Sequence, residues 1–168
     1  MPQIVGQEYR VGKIRVTGAK AFNEDTILSA LGIVSGGSYD ESQLRDGFRN
    51  LMRLYGSRGY VNFIPTPVPE LDEQRKIVNL TVNIDEGLQF TVNRVGFVGN
   101  TTIPDDVLRR EVLVKEGAVF DVSLLELSLS RLNQLRLFEE IRFEDARVRP
   151  LPDEAKVDVD LRVKEKTR

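Results

Sequence analysis

The sequence predicts an α+β fold of two tandem modules, each a three-stranded mixed sheet with two helices packed on one face, in the order β-α-α-β-β. Three observations carry this prediction: an internal repeat, helix-start signals at matching positions in both copies, and a last strand whose apolar side chains point to one face. A sheet with one apolar face must bury that face, and in this element order the two helices are what covers it.

A repeat divides the 168-residue sequence into two copies. Sliding the sequence along itself by 81 positions aligns residues 11–54 with residues 92–135 without a gap, and nine of the 44 pairs are identical. The predicted domains are residues 8–88 and 89–168, each near the small end of what folds with its own core. The identical pairs are Val11/Val92, Gly18/Gly99, Asp25/Asp106, Gly36/Gly117, Asp40/Asp121, Ser42/Ser123, Leu44/Leu125, Leu51/Leu132 and Leu54/Leu135.

Short local signals predict the first strand and the first helix of each copy. Ile14 and Val16 alternate with other residues, and the strand is predicted to end at the turn residue Gly18. Asn23 is a favourable N-cap because its side chain can accept a hydrogen bond from the first helical turn, and Gly32 favours the helix end.

The second copy repeats the pattern about 80 residues later. Val95 and Phe97 alternate in the same way before Gly99. Ile103 and Leu108 can pack together across the helix start.

A second helix is predicted to begin after Asp40 in the first copy and after Asp121 in the second, since an aspartate carboxylate can cap a helix start. Apolar side chains then recur at helical spacing, which predicts one buried face on each helix. The predicted core positions are Leu44, Phe48, Leu51, Met52, Tyr55, Leu125, Leu129, Leu132 and Leu135.

Two further strands close each module. We predict strands at 60–64 and 78–84 in the first copy, and at 141–148 and 157–163 in the second. Apolar and charged residues alternate along 157–163, so the charged side chains are expected to face solvent.

Composition excludes several classes of chemistry. The sequence holds 24 basic and 26 acidic residues with no basic arm, so a nucleic-acid partner is not expected. It contains no histidine and no cysteine, the residues that carry most zinc, iron–sulfur and thiol chemistry. Its carboxylate pairs, such as Asp158 and Asp160, are close in sequence, and such pairs seldom converge across a catalytic cleft. We therefore expect neither an enzyme nor a cofactor or metal site.

An ordered set of short motifs resembles POTRA (polypeptide-transport-associated) domains. The motifs are residues 98–100 at a strand end, 54–60 at a helix exit and 80–87 in a closing strand. The resemblance covers nearly the whole chain twice and is nearest to BamA-type outer-membrane assembly factors. Three stretches are similar to the last POTRA domain before the membrane barrel: residues 106–111 followed by 115–117, residues 132–140 and residues 163–166. This similarity implies that the two copies are fourth-like and last-like domains.

The resemblance implies a periplasmic, non-enzymatic module that receives unfolded outer-membrane protein clients, docks accessory lipoproteins and continues into a membrane β-barrel. A small sheet with a free edge can bind such clients by β-augmentation, in which main-chain hydrogen bonds tolerate many sequences. In the family, the last domain contacts a BamD-type helical-repeat lipoprotein at positions that match Arg109 and Glu116. The competing interpretation of these two residues is a pair of ordinary surface charges.

The family's strand order, 1-3-2, implies a free edge on the second strand of each module. In the first copy Pro65, Pro67 and Pro69 lie at and beyond the end of the predicted strand, and proline removes backbone donors. The second copy has no proline there before Pro150, so it is expected to be the better client site, with the ring of Phe143 facing the core. The predicted edge residues are Ile141, Arg142, Phe143, Glu144 and Asp145.

Three alternatives stay open on the sequence. The chain could be the POTRA region of a two-partner secretion pore or of a translocation-assembly factor, a division-type scaffold, or an enzyme that uses carboxylates alone. Two tandem copies, and the absence of a stretch of about 20 apolar residues, weigh against the scaffold, in which one POTRA-like domain follows a membrane helix. A barrel-strand pattern after Arg168 would separate the leading interpretation from most of these.

Overall fold

A computed structural model of the protein describes residues 8–167. The chain divides into two compact units, one of Met1–Tyr55 with Asn62–Gly87 and one of Gly56–Val61 with Leu88–Arg168. Each unit contains one three-stranded sheet.

The first sheet has the strand order β1-β3-β2, with β1 parallel and β2 antiparallel to the central strand β3. The second sheet repeats this arrangement as β4-β6-β5. The predicted α+β class and the β-α-α-β-β order are therefore confirmed. The elements are β1 Arg10–Thr17, α1 Glu24–Leu31, α2 Glu41–Gly56, β2 Ile64–Asp72, β3 Ile77–Asp85, β4 Thr91–Val98, α3 Asp105–Arg109, α4 Val122–Gln134, β5 Ala146–Leu151 and β6 Lys156–Arg162.

Capping residues mark both ends of α1 and the start of α4 as predicted, whereas the N-cap position of α3, Pro104, makes no side-chain capping bond. The Asn23 side chain accepts from the Thr26 N–H (2.8 Å), and Gly32 ends α1 with a left-handed φ of 67°. The Asp121 carboxylate accepts from the Ser123 N–H (2.9 Å) at the start of α4. Met52 does not join the core as predicted: it is 59% exposed, because it lies at the solvent side of the apolar stripe of α2.

β2 lies farther along the chain than predicted. The strand at 60–64 is wrong, since β2 runs Ile64–Asp72 and pairs with β3 over nine residue pairs. Proline cannot donate to the hydrogen bonds of a sheet, so Pro65, Pro67 and Pro69 disfavour a strand. Their alternate spacing makes the strand possible here: all three nitrogens point away from β3, and the residues between them keep the donors that the ladder needs.

β5 begins at Ala146, so the predicted start at Ile141 is also wrong. Asn133 at the end of α4 holds Ile141 in place, because its amide donates to the Ile141 carbonyl (2.9 Å) and accepts from the Ile141 N–H (2.8 Å). The residues before β5 form a 3₁₀ turn in which the Arg142 N–H donates to the Asp145 carboxylate (2.9 Å). These backbone groups bond locally and take no part in the sheet.

Each core lies between the helices and one face of its sheet. In the first unit Tyr55 of α2 is fully buried, with its ring stacked on Phe63 (4.2 Å between centroids) and at a right angle to Phe22 (4.9 Å). In the second unit aliphatic residues of α3, α4, β4 and β6 fill the same space with Phe90 and Phe120.

Candidate functional site

The β2 edge of the first sheet is poor in hydrogen-bond donors. Pro65, Pro67 and Pro69 occupy successive positions whose backbone groups face away from β3. Proline has no N–H, so this stretch of edge presents carbonyl oxygens alone. An incoming strand needs both donors and acceptors at alternate positions, and the β2 edge is therefore blunted against strand addition.

The β5 edge of the second sheet is blunted as well. Pro150 removes one outward donor, and the Ala146 N–H already donates to the Phe143 carbonyl. The Val148 N–H is what remains between them within Ala146–Leu151. The expectation that this edge carries an intact row of donors is wrong, because the strand starts later than predicted and ends on its own proline.

The β4 edge is closed by two charged side chains. The Glu116 carboxylate accepts from the Val95 N–H (3.0 Å), and the Arg109 guanidinium donates to the Val95 carbonyl (2.9 Å). Arg109 and Glu116 also contact each other (4.0 Å), and Arg109 lies over the Phe97 ring (5.2 Å to its centroid). Together the two side chains satisfy the backbone of Val95 as a neighbouring strand would. We call this pair the Arg109/Glu116 clamp.

The β1 edge is covered at its start and open farther along. Val11 donates to the Gly37 carbonyl (2.8 Å) and accepts from the Gly36 N–H (2.7 Å), so the loop after α1 pairs with the beginning of the strand. Ile14 and Val16, which correspond to Val95 and Phe97 in the repeat, follow this covered part. The N–H and C=O groups of Ile14 and Val16 point away from β3. Within residues 8–167, no hydrogen bond reaches these outward groups.

The polar face of the second sheet carries a network of charges. Asp158 is 8% exposed and accepts from the Asn93 amide (2.8 Å) and the Arg149 guanidinium (3.3 Å). Asp160 lies near Arg94 (3.4 Å) and Arg149 (4.0 Å). The expectation that both carboxylates face open solvent is wrong for Asp158, because Asn93 and Arg149 cover it.

A groove of about 740 Å³ runs along this charged face beside β5. Arginines and acidic residues both line it, and three of the seven charged residues, Arg94, Arg149 and Asp160, form ion pairs with one another. A lining of mixed sign is typical of a protein-contact surface and unlike the uniform basic surface that binds nucleic acid. The charged lining residues are Arg94, Glu144, Asp145, Arg147, Arg149, Asp160 and Arg162.

The residues that the sequence singled out fall into two groups. Arg109 and Glu116 come together, half-exposed at 47% and 51%, on the same backbone group. The five predicted edge residues do not form an edge strand. Ile141 is buried and Phe143 is 48% exposed, so the prediction that its ring faces the core is wrong. The structure adds Ile14, which the sequence analysis had assigned only to a strand, as a residue of an open sheet edge.

A glutamate after the last strand of the first sheet ties the sheet to the loop before α1. The Glu86 carboxylate accepts from the N–H groups of Lys20 (3.1 Å) and Ala21 (2.8 Å) and from the Tyr55 hydroxyl (2.8 Å). Burial acts to raise the pKa of Glu86, but the three hydrogen bonds stabilise the charged form more, and the pKa lies below its usual 4.5.

Glu165 does the same in the second unit. Its carboxylate accepts from the hydroxyl (2.7 Å) and the N–H (2.8 Å) of Thr102 and from the N–H of Ile103 (2.8 Å). The Thr102 hydroxyl, then the backbone bonds, lower the pKa of Glu165 below its usual value. Both shifted carboxylates therefore serve as loop anchors.

The described part of the chain holds neither a candidate metal site nor a helix that could span a membrane. Within residues 8–167, no three side chains among histidine, cysteine, aspartate and glutamate converge so that they could hold a metal ion. Over the same residues, no helix combines the length and the apolar character needed to cross a membrane.

The POTRA family, described as a surface antigen variable number repeat, matches the sequence twice, at residues 9–87 and 90–166. The chain belongs to the POTRA family. Each matched stretch holds one complete set of strands and helices, together with two sheet edges. The resemblance seen in the sequence motifs is confirmed over nearly the whole chain.

Relatives of the chain are outer-membrane assembly proteins. Outer membrane protein assembly factor BamA from Buchnera aphidicola subsp. Acyrthosiphon pisum (strain APS) is 28% identical over 112 residues, covering 67% of this chain and 18% of that protein. BamA from Neisseria meningitidis serogroup B (strain ATCC BAA-335 / MC58) is 30% identical over 111 residues, covering 64% of this chain and 14% of that protein. The chain thus spans less than a fifth of the length of these relatives.

A solved structure agrees with this relationship. The crystal structure of Haemophilus influenzae BamA POTRA3-5 superposes with a TM-score of 0.78 at 28% identity, covering 94% of this chain and 61% of that chain. The tandem POTRA domains described above are therefore of the BamA type.

Proposed function

We propose that this chain is the periplasmic polypeptide-binding and docking region of an outer-membrane protein assembly factor. The double POTRA match, together with the similarity to BamA over two-thirds of the chain, carries the proposal. In this role the two units are the fourth and the last POTRA domains, and a membrane β-barrel follows them in the full-length protein. Their task is to receive unfolded β-barrel clients.

β-augmentation is the binding mode that small sheets with open edges support. Main-chain hydrogen bonds form with any extended segment, so one edge serves clients of different sequence. The ordering of the client opposes binding, which keeps such complexes weak and lets the client move on. The proposal needs no catalytic step, and Glu86 and Glu165, two carboxylates whose pKa values are lowered, anchor loops.

Photo-crosslinking tests the client role. A crosslinking amino acid at Arg15, Thr66 or Arg147 lies exposed on an edge strand, and one at Glu126 on α4 is the matched helix-surface control. A urea-unfolded outer-membrane β-barrel protein, diluted into the chain, should be captured at one or more edge positions and not at Glu126. Folding the client before mixing should abolish capture. Equal capture at Glu126 would contradict the proposal.

A second proposed role, docking of an accessory lipoprotein, is supported by the Arg109/Glu116 clamp. Both side chains are half-exposed, and the backbone of Val95 fixes their positions. A partner therefore meets a preorganised pair of opposite charges and loses little side-chain entropy in binding it.

Two substitutions of Glu116 separate docking from stability. Glu116→Gln keeps an oxygen that can accept from the Val95 N–H but removes the charge, whereas Glu116→Lys removes both. If the charge docks the partner, both variants should capture less of the accessory lipoprotein of the source organism, and Glu116→Gln should keep the melting temperature of the parent chain. Parent-level capture by Glu116→Gln would exclude a role of the charge in docking.

A further inference from the structure

The β1 and β4 edges are equivalent in the repeat, yet the side chains that could close them differ. Arg109 and Glu116, which close the β4 edge at Val95, correspond under the 81-residue repeat to Leu28 and Ser35. Leucine can neither donate nor accept a hydrogen bond. The Ser35 hydroxyl donates to the Gly12 carbonyl (2.6 Å), which lies before Ile14 on the strand. The first unit therefore has no counterpart of the clamp among its described residues.

The charged residues beside the two edges also differ in whether they form ion pairs. Lys13 and Arg15 are exposed on β1, and neither forms an ion pair with any residue in the range 8–167. Their counterparts on β4 are Arg94, which pairs with Asp160 (3.4 Å), and Gly96. The β1 edge thus carries two uncompensated positive charges, and the β4 edge carries none at the matching positions.

The apolar surroundings of the β1 edge differ from those of β4 as well. Ile14 and Val16 pair with the buried Leu80 and Val82, so their side chains are on the helix side of the sheet. Val34, in the loop whose next residues cover Val11, is 71% exposed. Its counterpart in the second unit is a lysine. One side of the β1 edge is therefore apolar and the other is basic.

We infer that the open part of β1, Ile14–Thr17, is the strand-accepting edge of this chain, and that its occupant is an extended polypeptide segment in which apolar residues alternate with acidic ones. The apolar side chains pack beside Leu28 and Val34, and the acidic side chains pair with Lys13 and Arg15. The N–H and C=O groups of Ile14 and Val16 supply the main-chain bonds. This inference rests on the proposed function and names the edge that performs it.

An eight-residue peptide of alternating valine and glutamate is a direct probe. We expect it to bind the 168-residue chain with one-to-one stoichiometry in calorimetry, and to shift the NMR amide signals of Ile14–Thr17. A peptide of alternating valine and lysine should bind at least about tenfold more weakly, because its charges face Lys13 and Arg15. Methylation of the peptide nitrogens that face β1, which are those of every second residue, should abolish binding because it removes the donors.

Transfer of the clamp provides the decisive variant. The double substitution Leu28→Arg with Ser35→Glu should close the β1 edge and weaken peptide binding by about tenfold or more. The charge-exchanged double substitution Leu28→Glu with Ser35→Arg is the matched control. It introduces the same two side chains, but a carboxylate at 28 cannot donate to the Ile14 carbonyl and a guanidinium at 35 cannot accept from its N–H. The control also loses the Leu28 side chain but leaves the backbone of Ile14 open, so it should bind the peptide more tightly than the Leu28→Arg with Ser35→Glu variant does.

The outcomes distinguish this inference from the proposed function. Peptide shifts that map to β2 or β5, or equal loss in both double variants, would overturn the assignment of β1 while leaving strand addition in place. Absence of binding by any edge would overturn both. The reverse substitution, Arg109→Leu with Glu116→Ser, should open the β4 edge and add shifts at Val95 and Phe97, and an unchanged spectrum there would contradict the clamp argument.

Discussion

Glu86 and Glu165 occupy equivalent places after β3 and β6 and make the same kind of contact, a carboxylate that accepts two backbone N–H groups from the loop before the first helix. The polar sheet faces of the same two units have little in common. Along β3 that face holds the neutral residues Asn79 and Asn83, whereas Asp158 of β6 is covered by an arginine and an amide. Both units keep the glutamate contact, whereas the residues on the polar faces of their sheets differ.

The sheet edges of the two units also differ. Proline blunts β2, proline and a local turn blunt β5, and the Arg109/Glu116 clamp closes β4. Ile14–Thr17 of β1 has none of these devices. The two copies thus resemble each other at β2 and β5, which prolines blunt, and differ at β1 and β4, because the clamp has no counterpart on β1. Four measurements address these shared and divergent features.

The largest effect is expected at a glycine position that both units share. Gly18 and Gly99 end β1 and β4 with φ values of 83° and 105°, and a Cβ there would collide with the carbonyl oxygen of Ile84 or Val163. Gly99→Ala should lower the free energy of unfolding by at least about 3 kcal/mol, because the colliding group is backbone directly after the central strand β6. Urea unfolding followed by circular dichroism measures the loss.

Gly117→Ala is the control for that collision. Gly117 also has a positive φ, 85°, but its Cβ would meet no atom within 4 Å. Conformational strain alone should cost about 1–2 kcal/mol there. Equal losses at Gly99 and Gly117 would show that the collision contributes nothing.

Next in size is the loss of the loop anchor in the first unit. Glu86→Ala removes the acceptor for two backbone N–H groups and for the buried Tyr55 hydroxyl, and should cost about 2–3 kcal/mol. Glu165→Ala should cost less, because the bonds of Glu165 lie nearer to solvent. A larger loss at Glu165 would show that the two anchors are not ranked by burial.

Acidification should produce a smaller effect in the same two places. The folded-state pKa values of Glu86 and Glu165 lie below the usual value of 4.5, so each carboxylate adds stability above that value. The contribution is lost as the pH falls through the lower, folded-state value, because protonation removes the charged acceptor. Urea unfolding of Glu86→Gln should depend less on pH below 4.5 than unfolding of the parent chain. An identical pH dependence would contradict the role of Glu86.

The smallest effect is expected at Val34. Val34→Lys places in the first unit the residue type that the second unit has at the same position. Since Val34 is 71% exposed, the free energy of unfolding should change by less than about 0.5 kcal/mol. A larger loss would mean that Val34 supports the fold and is not a free part of the β1 surroundings.

Local signals locate the helices but not the strand edges. Asn23, Gly32 and Asp121 each act within a few residues, so the sequence alone places those helix ends. The prolines of β2 disfavour a strand unless it lies at a sheet edge and all of their nitrogens face outward. That condition is a property of the assembled sheet, and β2 could not be placed from its own residues.

The clamp shows the same limit at the candidate site. Arg109 and Glu116 could be recognised as a pair, but their target is Val95, which lies 14 and 21 residues away in sequence. The repeat contained a usable signal. Charged residues at two positions where the other copy has Leu28 and Ser35 indicate a function that one unit has and the other lacks.

The prolines of β2 also determine how copies of the protein behave toward each other. Strand pairing between identical edges requires each edge to offer donors and acceptors, because every ladder bond needs one of each. Two β2 edges brought face to face would present carbonyl oxygens to carbonyl oxygens at Pro65, Pro67 and Pro69. Homotypic sheet extension, the first step toward fibrils, is disfavoured along this edge by its own chemistry. The β2 edge therefore does not template pairing between copies of this chain.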